Sequence, residues 1–355
     1  MSGLILTALV ILVFIIIYQI AKASEYANII RGEEMVAKST NKLMAGLLVA
    51  FFVLGIYGIY KCHMYLAPLY LPESASEQGL EYEFMMKVTL WITGAVFFVT
   101  QAVLFWFSWK YQARDDRKPF FYSHNNKLEI LWTTIPALTL MVLVAIGLKN
   151  WVTITDKAPA DSLKVQVMGK QFNWVIRYPG KDGVFGKTNF RLINDANNIM
   201  GLDWNDPASK DDIIIENGEA HIINKRHVQF IINSRDVIHD VGLPHFRMKM
   251  DAVPGITTTL WFTPRLTTAE MKTITGNKDF VYEITCDQMC GKGHYSMRGT
   301  VVVETEADFK KWIGEQKSYY DIQNPPAAPV ATTAAKDSTA APAAAKDTVK
   351  TVASK

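Results

Sequence analysis

Cysteine is scarce in this 355-residue chain: there are three, too few for a disulfide scaffold, so the fold must bury a core of its own. Charge is thin as well, at 20% of residues against 49% hydrophobic, and a formal net charge of +3 leaves no basic stripe of the kind that binds nucleic acid. No CxxCH occurs, which excludes a covalently attached c-type haem. Mean hydropathy sits just above zero, too apolar for a wholly soluble protein and too polar for a wholly embedded one, which implies two compartments. Cys62 stands by itself after "GIYGIYK", without the small-residue pattern of a lipoprotein cleavage site, and reads as a reduced thiol at a helix end.

What the sequence does have is long apolar runs. Crossing ~30 Å of hydrocarbon takes about 20 apolar residues in a helix, and four stretches qualify, at about 3–21, 43–62, 88–109 and 130–151. The first lacks a basic leader and a small-residue cleavage site, so it reads as a retained helix rather than a signal peptide. Basic residues cluster between the first two runs (Lys22, Arg31, Lys38, Lys42) and between the last two (Lys110, Arg114, Arg117, Lys118, Lys127), whereas "LPESASEQGLEYE" is acidic. The positive-inside rule makes the basic loops cytoplasmic and places everything after 151 outside.

From about 163 the texture changes to short runs such as "LKVQVMG", "VQFIINS", "TTTLWFTP", "FVYEITC" and "GTVVVETE", broken by Gly, Pro, Asn and Asp. They predict an antiparallel β-sandwich or barrel of about 150 residues, interrupted by a polar loop over 194–212 and followed by a short helix near 306–318. The Ala, Pro, Thr and Lys tail is too poor in apolar surface to offset ordering entropy and is expected to be disordered. The expected organisation is therefore two additional transmembrane helices with loops (1–85), a transmembrane hairpin (86–152), an outer β domain (153–320) and a disordered tail (321–355).

Chemistry concentrates in "CDQMCGKGHYSM". Cys286, Cys290, His294 and Met297 lie within a dozen residues, a spacing that can wrap a loop around a small volume. Soft thiolate, thioether and imidazole donors favour copper, zinc or iron–sulfur, and the thioether tilts the choice to copper. Structural zinc sites usually pair cysteines as CxxC, which this spacing fits poorly. A disulfide stays open as an alternative, because the domain is expected outside the cytoplasm.

Upstream, "SRDVIHD" and the turn "KMDAVPG" place His239 at the end of a strand. Together with CxxxCGxxHxxM, these motifs resemble the binuclear copper domain of cytochrome c oxidase subunit II, over roughly 128–315. The resemblance implies a cupredoxin-like Greek-key sandwich behind four transmembrane helices. It implies that Cys286 and Cys290 bridge two coppers, that His239 and His294 each cap one, and that Met297 and the backbone carbonyl of Gln288 are weak axial ligands. The family commonly has Glu where this chain has Gln288, and that Glu helps hold a magnesium ion against the catalytic subunit; a neutral amide binds a hard cation less well, which puts magnesium ligation in doubt.

Three further segments resemble the family. "GKQFNWVIRYPG" matches its GxQWxW, with Phe172 at the position where cytochrome c delivers its electron and Trp174 at the second tryptophan. Asp236 matches an acidic docking position that would steer a basic cytochrome. "NNKLEILWTTIP" matches ExxWTxxP, in which Glu129 would lie at the cytoplasmic mouth of a proton channel.

The implied function is that of subunit II of a proton-pumping respiratory oxidase, taking electrons from cytochrome c or a tethered cytochrome domain and passing them to haem in the catalytic subunit. No catalytic residue for oxygen reduction is expected in this chain. Subunits I and III are the implied partners, the bacterial inner membrane is the implied location with the copper domain in the periplasm, and the two additional helices suggest docking in a respiratory supercomplex. Rival readings are a quinol oxidase subunit, which would lack the thiolates, a nitric or nitrous oxide reductase with the same copper site, and a copper carrier with one labile ion.

Overall fold

The computed structural model describes residues 2–114, 116–118 and 120–325. The tail expected to be disordered lies almost entirely outside the described residues.

Four long helices open the chain: α1 (Ser2–Arg31), α2 (Glu33–Leu66), α3 (Glu77–Lys110) and α4 (Asn126–Thr155). Each contains a span long and apolar enough to cross a membrane. The cytoplasmic loop expected around 22–42 is instead helical, because its Glu, Lys, Met and Ala are good helix formers. Gly32, at φ 82°, is the single break there. Helices α2 and α3 pack through Phe52 and Phe105, whose rings stack 5.0 Å apart. Pro136 sits inside α4, as transmembrane helices tolerate.

Two five-stranded sheets follow among the described residues. One runs β3 (Ile213–Ile215), β2 (Asn173–Tyr178), β1 (Leu163–Lys170), β5 (Val228–Ser234), β8 (Thr258–Phe262). The other runs β4 (Glu219–Ile223), β10 (Arg298–Glu304), β9 (Tyr282–Cys286), β6 (His239–Leu243), β7 (Met248–Ala252). Alternation decides what faces inward: Val165 and Val167 on β1, Tyr282, Ile284 and Cys286 on β9, and Val301 and Val303 on β10 are all buried. The sandwich is mixed rather than antiparallel. Strands β1 and β5 pair parallel, as do β4 and β10, because each pair joins strands distant in sequence whose intervening chain crosses to other strands before returning.

Short helices α5 (Thr268–Thr275) and α6 (Glu306–Glu315) fall outside the strand pattern. Thr267 and Glu270 close a capping box on α5, each side chain accepting from the other's backbone N–H. Helix α6 is shorter than the helix expected near 306–318, and its Trp312 stacks on His221 at 3.8 Å, while His221 also bridges Glu304 and Glu219.

The acidic loop before α3 is built into the β domain. Ser74, Ala75 and Ser76 are buried. The Ala75 N–H donates to the His245 carbonyl at 2.8 Å, and the Ala75 carbonyl accepts from Arg265 N–H at 2.8 Å. The Ser76 hydroxyl donates to the Phe246 carbonyl at 2.6 Å and also caps α3 by accepting from Gly79 N–H. Nearly two turns into α3, Glu83 pairs with Arg247 at 2.7 Å. These bonds fix the β domain to the start of the membrane hairpin.

The segment Gly180–Asp212 with the described residues from Lys317 onward forms a second compact unit. Within it, the first residue of α7 (Tyr319–Gln323) donates its N–H to the Asp212 carbonyl at 2.8 Å, and Trp204 packs edge-on against Tyr320.

Candidate metal centre

The inward alternation of β9 delivers Cys286 at the strand's last position, where it is buried. Pairing of Val241 with Cys286 sets the β6 register and brings His239, the first residue of β6 and wholly buried, beside the sulfur. Past Cys286 the chain folds back on itself. Gly291 takes φ 136°, a left-handed value that favours glycine, and His294, Ser296 and Met297 donate their N–H groups to the carbonyls three residues behind them. This turn returns His294 and Met297 to Cys290.

The donors form two overlapping groups. Cys286 Sγ lies 3.8 Å from His239 Nδ1 and 3.2 Å from the Gln288 carbonyl. Cys290 Sγ lies 3.7 Å from His294 Nδ1 and 3.8 Å from Met297 Sδ. The two sulfurs sit 3.7 Å apart, both cysteines free, so the disulfide alternative is not formed. His239, Cys286 and Cys290 offer ligand atoms all within 4.8 Å of one another, with His294 on the far side of Cys290. Burial, reinforced by the adjacent Cys286 thiol, pushes the Cys290 thiol up to about 11, so a metal must displace protons to bind. Two sulfurs, two imidazole nitrogens, a thioether and a carbonyl are a donor set suited to soft transition metals and to copper above all.

Around these donors a second layer holds the geometry. Asp236 Oδ1 accepts from His239 Nε2 at 2.8 Å, which leaves Nδ1 facing Cys286, and Asp236 Oδ2 accepts from Gln171 N–H at 2.7 Å. Burial works to raise the Asp236 carboxyl, but these bonds and the Val237 N–H together hold it below the usual carboxylate range. Both oxygens are thus engaged inside the domain. The Gln171 amide donates to the Cys290 carbonyl at 2.6 Å, a contact the sequence reading did not anticipate.

Phe172 and Trp174 have different places. Phe172 is 38% exposed and its ring covers the ligand loop, so close that a Cβ on Gly293 would lie 2.6 Å from it. Trp174 is wholly buried, its indole 6.0 Å from the His239 ring and edge-on to it. Glu129 is remote from the centre, exposed in the first turn of α4, where a carboxylate suits the helix N-terminus. The sequence reading also passed over Asp240, Asp251 and Asp287, which flank the ligands. Burial, then the facing Asp251, push the Asp240 carboxyl up to about 6. The signal was legible as an acid directly after His239 and another directly after Cys286.

Comparison with known proteins gives two family matches. Residues 64–149 match the family model described as cytochrome c oxidase subunit II, transmembrane domain, and residues 163–305 match cytochrome c oxidase subunit II, periplasmic domain. The alternative cytochrome c oxidase subunit 2 of Bradyrhizobium diazoefficiens is 35% identical over 234 residues, 66% of this chain and 79% of that protein. The cytochrome c oxidase subunit 2 of Cereibacter sphaeroides is 24% identical over 255 residues, 69% and 78% of the two chains. Among solved structures, the periplasmic domain of subunit II of the Bradyrhizobium japonicum cytochrome oxidase aligns with a TM-score of 0.30 at 23% identity, covering 44% of this chain and 95% of that one.

Proposed function

Because the chain belongs to the cytochrome c oxidase subunit II family, we propose that it is the electron-accepting subunit of a bacterial respiratory oxidase, receiving electrons from cytochrome c at a binuclear copper centre. The observation that carries this reading is the pair of cysteine sulfurs 3.7 Å apart, each with its own imidazole nitrogen at 3.8 or 3.7 Å. Those donors would suit two copper ions, with Cys286 and His239 at one end and Cys290 and His294 at the other. When bound, a copper pair would supply a one-electron store spread over two metals.

The protein's own residues then have separable tasks. His239 and His294 would hold the two ends of the copper pair, Met297 and the Gln288 carbonyl would supply weaker donors, and the Cys286 and Cys290 sulfurs, 3.7 Å apart, would lie between them. Asp236 orients His239 and anchors the Gln171–Phe172 segment, and its partly exposed side chain is also the acidic docking contact for a donor cytochrome. Phe172 is the apolar cover over which a donor cytochrome would approach, and Trp174 is a buried wall behind His239.

The family's transmembrane and periplasmic domains support a membrane-anchored subunit with its β domain in the periplasm. We assign it to the bacterial inner membrane, beside subunit I, whose haem would receive the electrons, and subunit III. Glu129, at the end of the α3–α4 hairpin away from the β domain, is the candidate proton-channel mouth for coupled pumping. Helices α1 and α2 are the docking elements for a respiratory supercomplex, and blue-native gels of a strain lacking residues 1–85 would test that role.

The decisive experiment is low-temperature EPR of the full chain loaded with copper. A seven-line hyperfine pattern lost in Cys290→Ser is expected; four lines from a single ion, or only zinc bound, would overturn the reading.

A further inference from the structure

We infer that the groove between α2 and α3 holds an acyl chain of an anionic phospholipid, whose phosphate headgroup is seated on Arg114, Arg117 and Lys118 just beyond the end of α3. The site is independent of the metal centre. Its wall on α2 precedes residue 64, where the match to the family's transmembrane domain begins, so it belongs to the additional helices rather than to the hairpin alone.

Residue size creates the apolar part. Gly46 and Ala50 on α2 and Ala102 on α3 line a slot of about 560 Å3, because side chains this small leave the space between two helices unfilled. Phe105, buried and stacked on Phe52, is the enclosed part of its lining, whereas Trp106 and Trp109 are exposed toward the loop. Close-packed proteins do not leave gaps of that size within themselves. From Ala102 to Lys110 the helix rises about 12 Å, so the slot runs from headgroup level into hydrocarbon.

Charge identifies the occupant. A second pocket, of about 590 Å3, lies past the helix end and is lined by Arg114, Arg117 and Lys118 together with Tyr111 and Phe120. Two contacts join it to the slot: the Gln112 amide donates to the Trp109 carbonyl at 2.9 Å, and Lys110 Nζ lies 5.9 Å from the Trp106 ring and 5.5 Å from that of Tyr111. The Arg117 N–H donates to the Arg114 carbonyl at 3.3 Å, a turn that brings both arginines to one pocket. Arg114, Arg117 and Lys118 form no ion pair among the described residues, and Asp116, the acid described in this turn, is not part of the lining. Guanidinium forks match phosphate oxygens. The loop also lies on the cytoplasmic side, opposite the periplasmic domain, where anionic lipid attracts basic segments. A partner's transmembrane helix would fill the slot and leave three cations unmatched, and free phosphate would match the cations and leave the slot empty.

The test uses the full chain in neutral detergent and phosphatidylglycerol with brominated acyl chains, whose bromine quenches tryptophan on contact. Quenching should saturate at one lipid per chain and vanish in Trp106→Phe/Trp109→Phe. Affinity should fall at least about tenfold in Arg114→Ala/Arg117→Ala, and by a similar factor for brominated phosphatidylcholine. Both arginines are exposed, so their substitution spares the fold. Ala102→Leu keeps every charge and should weaken binding by narrowing the slot, and excess inorganic phosphate should not compete. Equal affinity for phosphatidylcholine would mean annular lipid only, displacement by phosphate a simple anion site, and loss of quenching in the assembled oxidase a helix of another subunit over the groove. Each of these, or unchanged binding in either the arginine or the Ala102 variant, would overturn the site.

Discussion

Asp236 Oδ1 lies 2.8 Å from His239 Nε2, so a half-exposed acid sets the direction of a wholly buried imidazole. The carboxylate fixes which ring nitrogen bears the proton, and thereby which one faces Cys286. Asp236→Ala is expected to weaken copper binding at least about tenfold, read by competition with a chelator. Asp236→Asn keeps an acceptor oxygen and should lose less. Equal affinity in all three proteins would remove Asp236 from the support of the site.

The ring of Phe172 and the backbone at Gly293 fill each other's space. Gly293→Ala should cost about 1–3 kcal/mol by overpacking and disturb the copper spectrum. Phe172→Ala/Gly293→Ala should recover most of both, because the ring is what the new methyl strikes. A double variant no better than Gly293→Ala would show that the loop backbone, not the ring, demands glycine.

Arg247 joins the β domain to α3 through Glu83, with both side chains mostly buried. Arg247→Ala is expected to cost about 2 kcal/mol, less than the ~3–5 of a fully enclosed pair, since Glu83 retains some water. Limited proteolysis should cut faster between residues 66 and 76 in the variant. Unchanged cleavage would mean that the backbone bonds of Ala75 suffice.

On α5 the Thr267 N–H and hydroxyl both donate to Glu270 and hold its carboxyl below the usual range. Because the folded value is depressed, this stabilisation is present above the ordinary ~4.3 and is lost as pH falls through the lower folded value. Thr267→Ala should cost about 1 kcal/mol near neutrality, seen as faster amide exchange within α5. Glu270→Gln should differ from the parent at pH 7, and the difference should shrink as pH falls through the depressed folded value.

Periodicity and motif spacing determined a great deal by themselves. Four apolar runs dictate four membrane helices, because an unpaired backbone cannot cross hydrocarbon. Alternation in "FVYEITC" turns Cys286 inward, and the crowding of Cys290, His294 and Met297 after it announces a metal-binding loop. Helix α5 was legible too, in Thr267 followed three residues later by Glu270, yet the surrounding strand texture hid it. Tertiary structure alone decided the rest, because strand register is a long-range property that local pattern does not encode. It set His239 against Cys286 across 47 residues, gave Asp236 a bond to His239, buried the loop before α3 in the β domain, and lined up Asp240, Asp251 and Asp287. Each of those contacts joins segments whose separation in sequence says nothing about their separation in space.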